Sequence, residues 1–189
     1  MNVCIPKPVS PEVQDLLDLA VDVYERRAAV PSTWTQLGAG HFSRVYTDGK
    51  YAIKLGGIKD GSDSGGIYAR WCQENQHLEL VPKIHAAEYD LSEDGTGYVV
   101  IMDVLQGYDN VDEETYERAR ATAECIERNR YDEDEVFDEY DSAPFPSVAE
   151  FLHAFQEIRD CGGLDLHNEN YMFTADGVMQ ITDPMSWAY

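Results

Sequence analysis

Asp165, Asn170 and Asp183 have the residue types and spacing that suit magnesium-dependent phosphoryl transfer. A carboxylate on a loop can accept a hydrogen bond from an attacking hydroxyl and orient it towards a phosphate, which is the role we predict for Asp165. Asn170 offers a side-chain oxygen to Mg²⁺, and Asp183 offers a carboxylate that can bridge the metal ion and phosphates. Two turn-forming Asp/Asn clusters in an acidic chain are the alternative interpretation. His167 has no histidine partners nearby in sequence, so we expect it to orient the loop rather than bind zinc.

A glycine-rich segment and a lysine could bind the phosphates of a nucleotide. Gly38 and Gly40, one residue apart, would let the backbone approach phosphates closely, and Ser43 stands where a third glycine is expected. Val45 could cover an adenine ring. Lys54, between apolar residues on a predicted strand, can point its ammonium group towards the α- and β-phosphates. A hairpin without a ligand and a lysine facing water are the alternatives.

Glu74 follows Lys54 by twenty residues and falls within a predicted helix. Its carboxylate could pair with the lysine and hold it in place. Glu79 and Asp63 are alternative partners, because any helix of this composition offers some carboxylate.

The elements that must position these residues follow from hydrophobic periodicity and turn signals. Ser10 and Pro11 predict the start of the first helix, and Asp176-Gly177 predicts a hairpin turn. The predicted helices cover about residues 11–28, 66–77, 113–130 and 147–161, and the predicted strands cover 51–55, 82–87, 98–105, 171–173 and 178–182, with a strand–turn–strand at 35–45. The order of these elements predicts an α+β fold with two unequal lobes.

The chain has 189 residues, which fits one domain, and its 36 acidic against 14 basic residues give a formal net charge of -22. Such a surface repels nucleic acids and anionic membranes, so we expect neither as a direct partner. It favours basic partners, could mimic nucleic acid, or could serve solubility alone. Residues 109–141 are the most acidic part, and we expect a solvated face there, with a loop or frayed helix at 132–141.

Four cysteines are scattered without paired spacing, which predicts reduced thiols rather than a zinc site. The first residues lack a basic region followed by an apolar run, and no stretch approaches the length of a membrane span. We therefore expect a soluble cytoplasmic protein.

In their order along residues 37–183, these motifs resemble those of the protein kinase superfamily. The resemblance implies a two-lobed kinase fold that binds ATP and Mg²⁺, with an N-lobe at about 1–105 and a reduced C-lobe at about 106–189 carrying an acidic insert at 109–141. It implies a hinge in which Met102 lies at the back of the nucleotide pocket, while the Asp103 carbonyl and the Leu105 N–H face adenine. Ala52, on the strand of Lys54, would line the same pocket.

The chain departs from the superfamily pattern in its catalytic loop and metal-binding motif. Gly163-Leu164-Asp165 replaces His-Arg-Asp, and Asp183-Pro184-Met185 replaces Asp-Phe-Gly. We also expect no activation segment and no large helical half. The run from Asp165 to Asn170, Asp-Leu-His-x-x-Asn, is similar to the loop of aminoglycoside phosphotransferases, which makes a small-molecule acceptor an alternative.

Three motifs look like those of the early serine/threonine protein kinases of T7-like short-tailed phages. They are Leu37-Gly38-x-Gly40-His41-Phe42-Ser43, Asp165-x-His167-x-x-Asn170-x-Met172-Phe173 and Ile181-Thr182-Asp183-Pro184. The resemblance implies phosphorylation of host bacterial proteins, including transcription and RNA-processing machinery, with autophosphorylation, in the bacterial cytoplasm. A pseudokinase whose acidic surface binds and inhibits a host protein is the non-enzymatic alternative.

Overall fold

The fold is α+β, as predicted, with four α-helices and a five-stranded antiparallel sheet in the part of the chain that the structure describes. This computed structural model describes residues 9–58, 64–129 and 145–186. The helices are α1 (Pro11–Tyr24), α2 (Gly65–Glu74), α3 (Glu113–Arg128) and α4 (Val148–Phe155). The strands are β1 (Thr35–Ala39), β2 (Ser43–Thr47), β3 (Tyr51–Gly56), β4 (Ile84–Tyr89), β5 (Tyr98–Asp103), β6 (Gly163–Leu164), β7 (Tyr171–Phe173), β8 (Met179–Ile181) and β9 (Met185–Ser186).

The large sheet has the strand order β1-β2-β3-β5-β4. Val45 pairs with Lys54 across β2 and β3, and Ala52 pairs with Met102 across β3 and β5. Directly paired residues share a face of a sheet, and so do residues two apart on a strand. The register therefore puts Val45, Ala52, Lys54 and Met102 on one face.

Helix α1 covers the opposite face of this sheet. It begins where the sequence predicts, since the Ser10 hydroxyl accepts a hydrogen bond from the Val13 N–H at 3.4 Å and Pro11 occupies the first turn. It ends before residue 28, because Arg26 has the left-handed φ of 60°. Its buried residues Val13, Leu17, Ala20 and Val23 pack in one cluster with the sheet residues Tyr46, Ile53, Leu55, Ala86, Val99 and Ile101.

A second apolar cluster joins α2, α3, α4 and the small β-hairpin. Phe151, Phe173 and Ile126 are fully buried within it. The hairpin of β7 and β8 is attached to the segment that follows β5, because Gln106 and Phe173 exchange backbone hydrogen bonds of 2.7 and 2.9 Å. This contact ties the hairpin, which follows the loop of Asp165 and Asn170, to the chain after β5.

Some sequence predictions need their boundaries changed. The fourth helix stops at Phe155, and a separate 3₁₀ turn, Arg159–Cys161, follows it. The strand–turn–strand at 35–45 is present as β1 and β2, although β2 continues to Thr47. The predicted loop at 132–141 and the alternative lysine partner Asp63 lie outside the described residues.

Cys72 and Cys125 are buried cysteines and Cys161 is an exposed one, and none of these three is in a disulfide within the described residues. In the described ranges, none of the helices has the length and apolar character needed to cross a bilayer.

Candidate active site

Lys54 and Asp183, 129 positions apart in sequence, meet in a direct ion pair. The Lys54 Nζ lies 2.9 Å from the Asp183 Oδ2. The lysine side chain is 13% exposed and the aspartate side chain 36% exposed, so the pair lies at the edge of the solvent. The sequence places the lysine on β3, and the fold brings β8 and its following residues to it.

Asp165 and Asn170 are joined within one tight loop. The Asn170 Nδ2 donates to the Asp165 carbonyl at 2.6 Å, and the Asn170 N–H donates to the His167 carbonyl at 2.9 Å. The Asp165 N–H donates to the Pro184 carbonyl at 2.8 Å, which fixes the start of the loop beside Asp183.

His167 is part of the same loop, and its orienting role stays a prediction. Its Nε2 is 3.1 Å from the Asn170 Nδ2 and 3.8 Å from the Asp165 Oδ2. The imidazole side chain is about half exposed. It contacts both loop residues rather than the Lys54–Asp183 pair.

The backbone carbonyl of Asn170 binds Thr182 and Asp183. The Thr182 N–H and the Asp183 N–H both donate to the Asn170 carbonyl, at 2.9 and 3.2 Å, and the Thr182 hydroxyl donates to it at 3.1 Å. The spacing of thirteen residues is explained by the hairpin, which returns the chain from Asn170 to Asp183 through β7 and β8.

Asn170 and Asp183 fit a magnesium ion by the chemistry of their oxygens. Because the Asn170 Nδ2 is engaged by the Asp165 carbonyl, its Oδ1 is directed away from that contact. The Asp183 carboxylate is partly exposed, and oxygen ligands are those that Mg²⁺ prefers. Over residues 9–58, 64–129 and 145–186 there is no preassembled group of three or more His, Cys, Asp or Glu side chains that could hold a metal ion. Magnesium sites of this kind commonly take their remaining ligands from substrate phosphates and water.

The end of β1 and the turn to β2 leave space beside their two glycines. Within the part of the chain that the structure describes, a Cβ added to Gly38 would meet no heavy atom within 4 Å, and one added to Gly40 would meet the Ser43 Oγ alone, at 3.5 Å. The Gly40 N–H donates to the Ser43 carbonyl at 2.9 Å, which closes the turn. Neither glycine has a left-handed φ. The fold itself therefore does not require glycine at either position, and the open space can admit a ligand.

The face of the sheet next to Lys54 is lined by small and apolar side chains. Ala52 is buried, and Val45 and Met102 are half-buried on the same face. This surface leads from the glycine loop to the end of β5.

The predicted hinge spans the last two residues of β5, Met102 and Asp103, and the two residues after it. The Asp103 N–H donates to the Lys83 carbonyl at 3.2 Å, and the Asp103 Oδ1 lies 2.7 Å from the His85 Nε2. Leu105 is half-buried, and none of the described residues accepts a hydrogen bond from its N–H. The segment then joins β7 through Gln106.

Glu74 lies at the last position of α2 and lines a cavity of about 390 Å³ with Ile67 and Arg70. Cys72, two residues earlier, is buried, which raises the pKa of its thiol to about 12, while the charges of Lys54 and Asp183 act on that pKa with opposite signs. Since Glu74 is two residues beyond Cys72, it is turned about 200° around the helix. The pairing of Glu74 with Lys54 stays a prediction.

A family model described as "Bacteriophage T7 protein kinase 0.7" matches residues 26–189 of this chain. The match covers nearly the whole chain and includes every site residue considered above. The chain belongs to the bacteriophage T7 protein kinase family. No curated protein matches the chain.

This phage protein kinase has one buried contact at its site that sequence reasoning missed. The Tyr68 hydroxyl donates to the Ile181 carbonyl, two residues before Asp183. In the sequence, Tyr68 is one of several apolar or aromatic residues of a predicted helix, and no local pattern distinguishes it from a packing residue.

Proposed function

We propose that this member of the phage kinase family is a serine/threonine protein kinase that transfers the γ-phosphate of ATP to host bacterial proteins. The observation that carries the proposal is the convergence of Lys54, Asn170 and Asp183 beside Asp165. We further propose a two-lobed arrangement, in which the large sheet with α1 forms an N-lobe at about 1–105 and the remaining elements form a reduced C-lobe. The nucleotide would lie between them.

The adenine end of ATP would bind along the face of the sheet that carries Lys54. Val45 and Ala52 would cover the ring, and Met102 would close the back of the pocket. The Asp103 carbonyl and the Leu105 N–H would bind the edge of adenine, and the Leu105 N–H donates to none of the described residues. This support comes from the shared face of Val45, Ala52 and Met102.

The phosphates would lie in the open space beside Gly38 and Gly40, against the β1–β2 turn. Backbone N–H groups from Gly38 to Ser43, other than that of Gly40, which bonds to the Ser43 carbonyl, would donate to phosphate oxygens. Lys54 would turn from Asp183 to the α- and β-phosphates. Replacing one anionic partner by another keeps the buried ammonium group paired, so the exchange avoids a large desolvation cost.

Asn170 and Asp183 would hold the magnesium ion, which supplies neutralisation of phosphate charge when it is bound. Asp165 would accept a hydrogen bond from the attacking hydroxyl and take up its proton. The Pro184 carbonyl and the Asn170 amide fix the backbone of Asp165 at 2.8 and 2.6 Å, so the carboxylate starts from a defined position. Positioning of this kind and charge neutralisation are the main sources of rate in phosphoryl transfer.

The test is phosphate transfer from labelled ATP, with magnesium, to a bacterial lysate. Asp165→Ala should lower the rate about 100-fold or more, since a positioned base contributes on this scale. The side chain is about half exposed, so the variant should keep the melting temperature of the parental protein. Glu169→Ala, an exposed carboxylate on the same loop, is the matched control and should keep the parental rate. An Asp165→Ala protein that transfers phosphate at the parental rate would disprove the assignment of the base.

A small-molecule phosphotransferase is the second candidate, because His167 contacts Asn170 within the Asp-Leu-His-x-x-Asn loop. The same assay with a panel of aminoglycosides in place of lysate separates the two. Transfer to an aminoglycoside without labelled lysate proteins would replace the protein-kinase proposal. Salt-sensitive binding to a basic host protein that persists in Lys54→Ala and Asp183→Ala would instead support a non-catalytic binding role.

A further inference from the structure

A buried hydrogen bond connects helix α2 to the strand that leads into Asp183. Tyr68, which is 2% exposed, donates from its hydroxyl to the Ile181 carbonyl at 2.8 Å. Its ring stacks on Trp71, with centroids 5.7 Å apart, and packs edge-on against Phe155. The phenol is thereby fixed by its ring as well as by its hydroxyl.

The peptide groups around Ile181 are held from two directions. The Ile181 N–H donates to the Leu80 carbonyl at 2.8 Å, while the Ile181 carbonyl accepts from Tyr68. The Gln180 side chain donates to the Glu79 carbonyl at 2.5 Å. Helix α2 and the segment after it therefore determine where β8 ends.

The position of β8 is passed on to Asp183 within two residues. Thr182 and Asp183 both bond to the Asn170 carbonyl, so the chain from Ile181 to Asp183 is held by Tyr68 at one end and by Asn170 at the other. Burial raises the pKa of Tyr68 well above its ordinary range, so the phenol keeps the proton that it donates to the Ile181 carbonyl.

We propose that Tyr68 is a positioning residue that couples helix α2 to the Asp183 carboxylate. The inference rests on the proposed function, in which Asp183 holds the magnesium ion. In this arrangement α2 acts on the metal site through a tyrosine hydroxyl and a backbone carbonyl. A displacement of α2 would move β8 and shift Asp183 away from Asn170.

The experiment compares Tyr68→Phe with Tyr89→Phe. The first substitution removes only the hydroxyl that binds Ile181. The second removes a hydroxyl that donates to Gln73 on the same helix at 3.2 Å, away from Asp183. In Tyr68→Phe, the magnesium concentration for half-maximal transfer should rise about fivefold or more, because losing one buried hydrogen bond costs on the order of 1 kcal/mol. Tyr89→Phe should keep the parental value.

A second readout needs neither magnesium nor nucleotide. In ligand-free Tyr68→Phe, hydrogen exchange should accelerate at the Thr182 and Asp183 amides and stay parental at the amides of β3 and β5. If the role of Tyr68 were purely structural, Tyr68→Phe would accelerate exchange across the whole protein and would lower the melting temperature and the activity without changing the magnesium dependence. That result, or a parental magnesium dependence in a folded Tyr68→Phe, would overturn the inference.

Gln180→Met tests the same coupling if Tyr68→Phe does not fold, because it removes the other side-chain bond between β8 and the segment after α2. It should raise the magnesium requirement in the same direction, and an unchanged requirement would overturn the inference. If the parental protein transfers phosphate and the magnesium requirement is unchanged in Tyr68→Phe and Gln180→Met, only the coupling is disproved. If the parental protein shows no transfer, the proposed function is disproved, and the coupling with it.

Discussion

Gly38, near the end of β1, and Gly40, in the turn after it, have backbones that do not need glycine. Among the described residues, no heavy atom lies within 4 Å of a methyl group built at Gly38, and its φ is not left-handed. The proposed phosphates would occupy the same space, so the absence of a side chain matters for the ligand rather than for folding. We therefore expect a side chain at these glycines to weaken nucleotide binding without lowering the stability of the fold.

Gly38→Ala should therefore leave the melting temperature unchanged and raise the KM for ATP roughly fivefold, equivalent to about 1 kcal/mol of binding free energy. The measurement is transfer kinetics at varied ATP, with thermal unfolding of the same samples. Gly107→Ala is the matched control, because a Cβ there also meets none of the described heavy atoms within 4 Å and the Gly107 φ is -73°. An equal KM in the two variants would contradict a phosphate position at this turn.

Residue types and spacing indicated Lys54, Asp165, Asn170 and Asp183 as site residues, and the structure brings them into two contacts, Lys54 with Asp183 and Asn170 with Asp165. Their roles stay predictions. Lys54 lies on β3 and Asp183 follows β8 of the small hairpin, and the fold brings the two side chains into an ion pair. The α2 side was harder to predict. Helical periodicity identifies an apolar face, but it does not distinguish Tyr68, which bonds to the Ile181 carbonyl, from residues that only pack there.

Helix α1 contributes to the site only through the sheet that it supports. Leu17 is 5% exposed against the back of the sheet, and Leu19 on the same helix is 37% exposed. The Tyr24 hydroxyl donates to the Gly57 carbonyl at 3.0 Å, which ties the end of α1 to the chain after β3. Lys54 points to the other face, so α1 should affect folding and leave the chemistry unchanged.

Leu17→Ala should lower the free energy of unfolding by about 2–5 kcal/mol, because a large buried side chain is replaced by a cavity. Leu19→Ala should change it by no more than about 0.5 kcal/mol, since its side chain is already partly in solvent. Urea unfolding measures both. The rate per folded molecule should stay parental in each variant, and a kcat that falls in folded Leu17→Ala protein would contradict this separation.

The elements themselves were predicted better than their ends. Periodicity placed α1 and β7 correctly, and a hairpin turn signal predicted the return through β8. The first helix was predicted too long. It ends near Arg26, which has a left-handed φ, and an arginine does not reveal such a conformation in the sequence. The fourth helix was predicted through Cys161, but its apolar periodicity continues past Phe155 into a 3₁₀ turn, which the pattern alone does not distinguish from an α-helix.

The net charge of -22 belongs to the whole molecule rather than to the site. Arg120 and Arg128 of α3 are already paired with acidic residues of their own helix. Much of the acidic surface is therefore in excess over nearby cations. For a protein substrate, such a surface favours a basic partner through long-range attraction that salt screens.

The KM for a lysine-rich protein substrate should rise roughly threefold or more when NaCl is raised from about 50 to about 200 mM, because the Debye length shortens over this range. The kcat should stay constant, since the local geometry of the site is unaffected. A neutral serine peptide is the control and should show a flat KM. Equal salt dependence for the two substrates would show that the acidic surface does not attract the protein substrate.

The region shared with the kinase family begins at residue 26, after the last residue of α1. The sheet behind the nucleotide face nevertheless depends on that helix to cover Ile53, Val99 and Ile101, which are fully buried. A protein shortened to residues 26–189 would expose a contiguous apolar surface on the face of the sheet that α1 covers. Such a molecule would self-associate and precipitate, so the family boundary is not a workable boundary for producing this kinase.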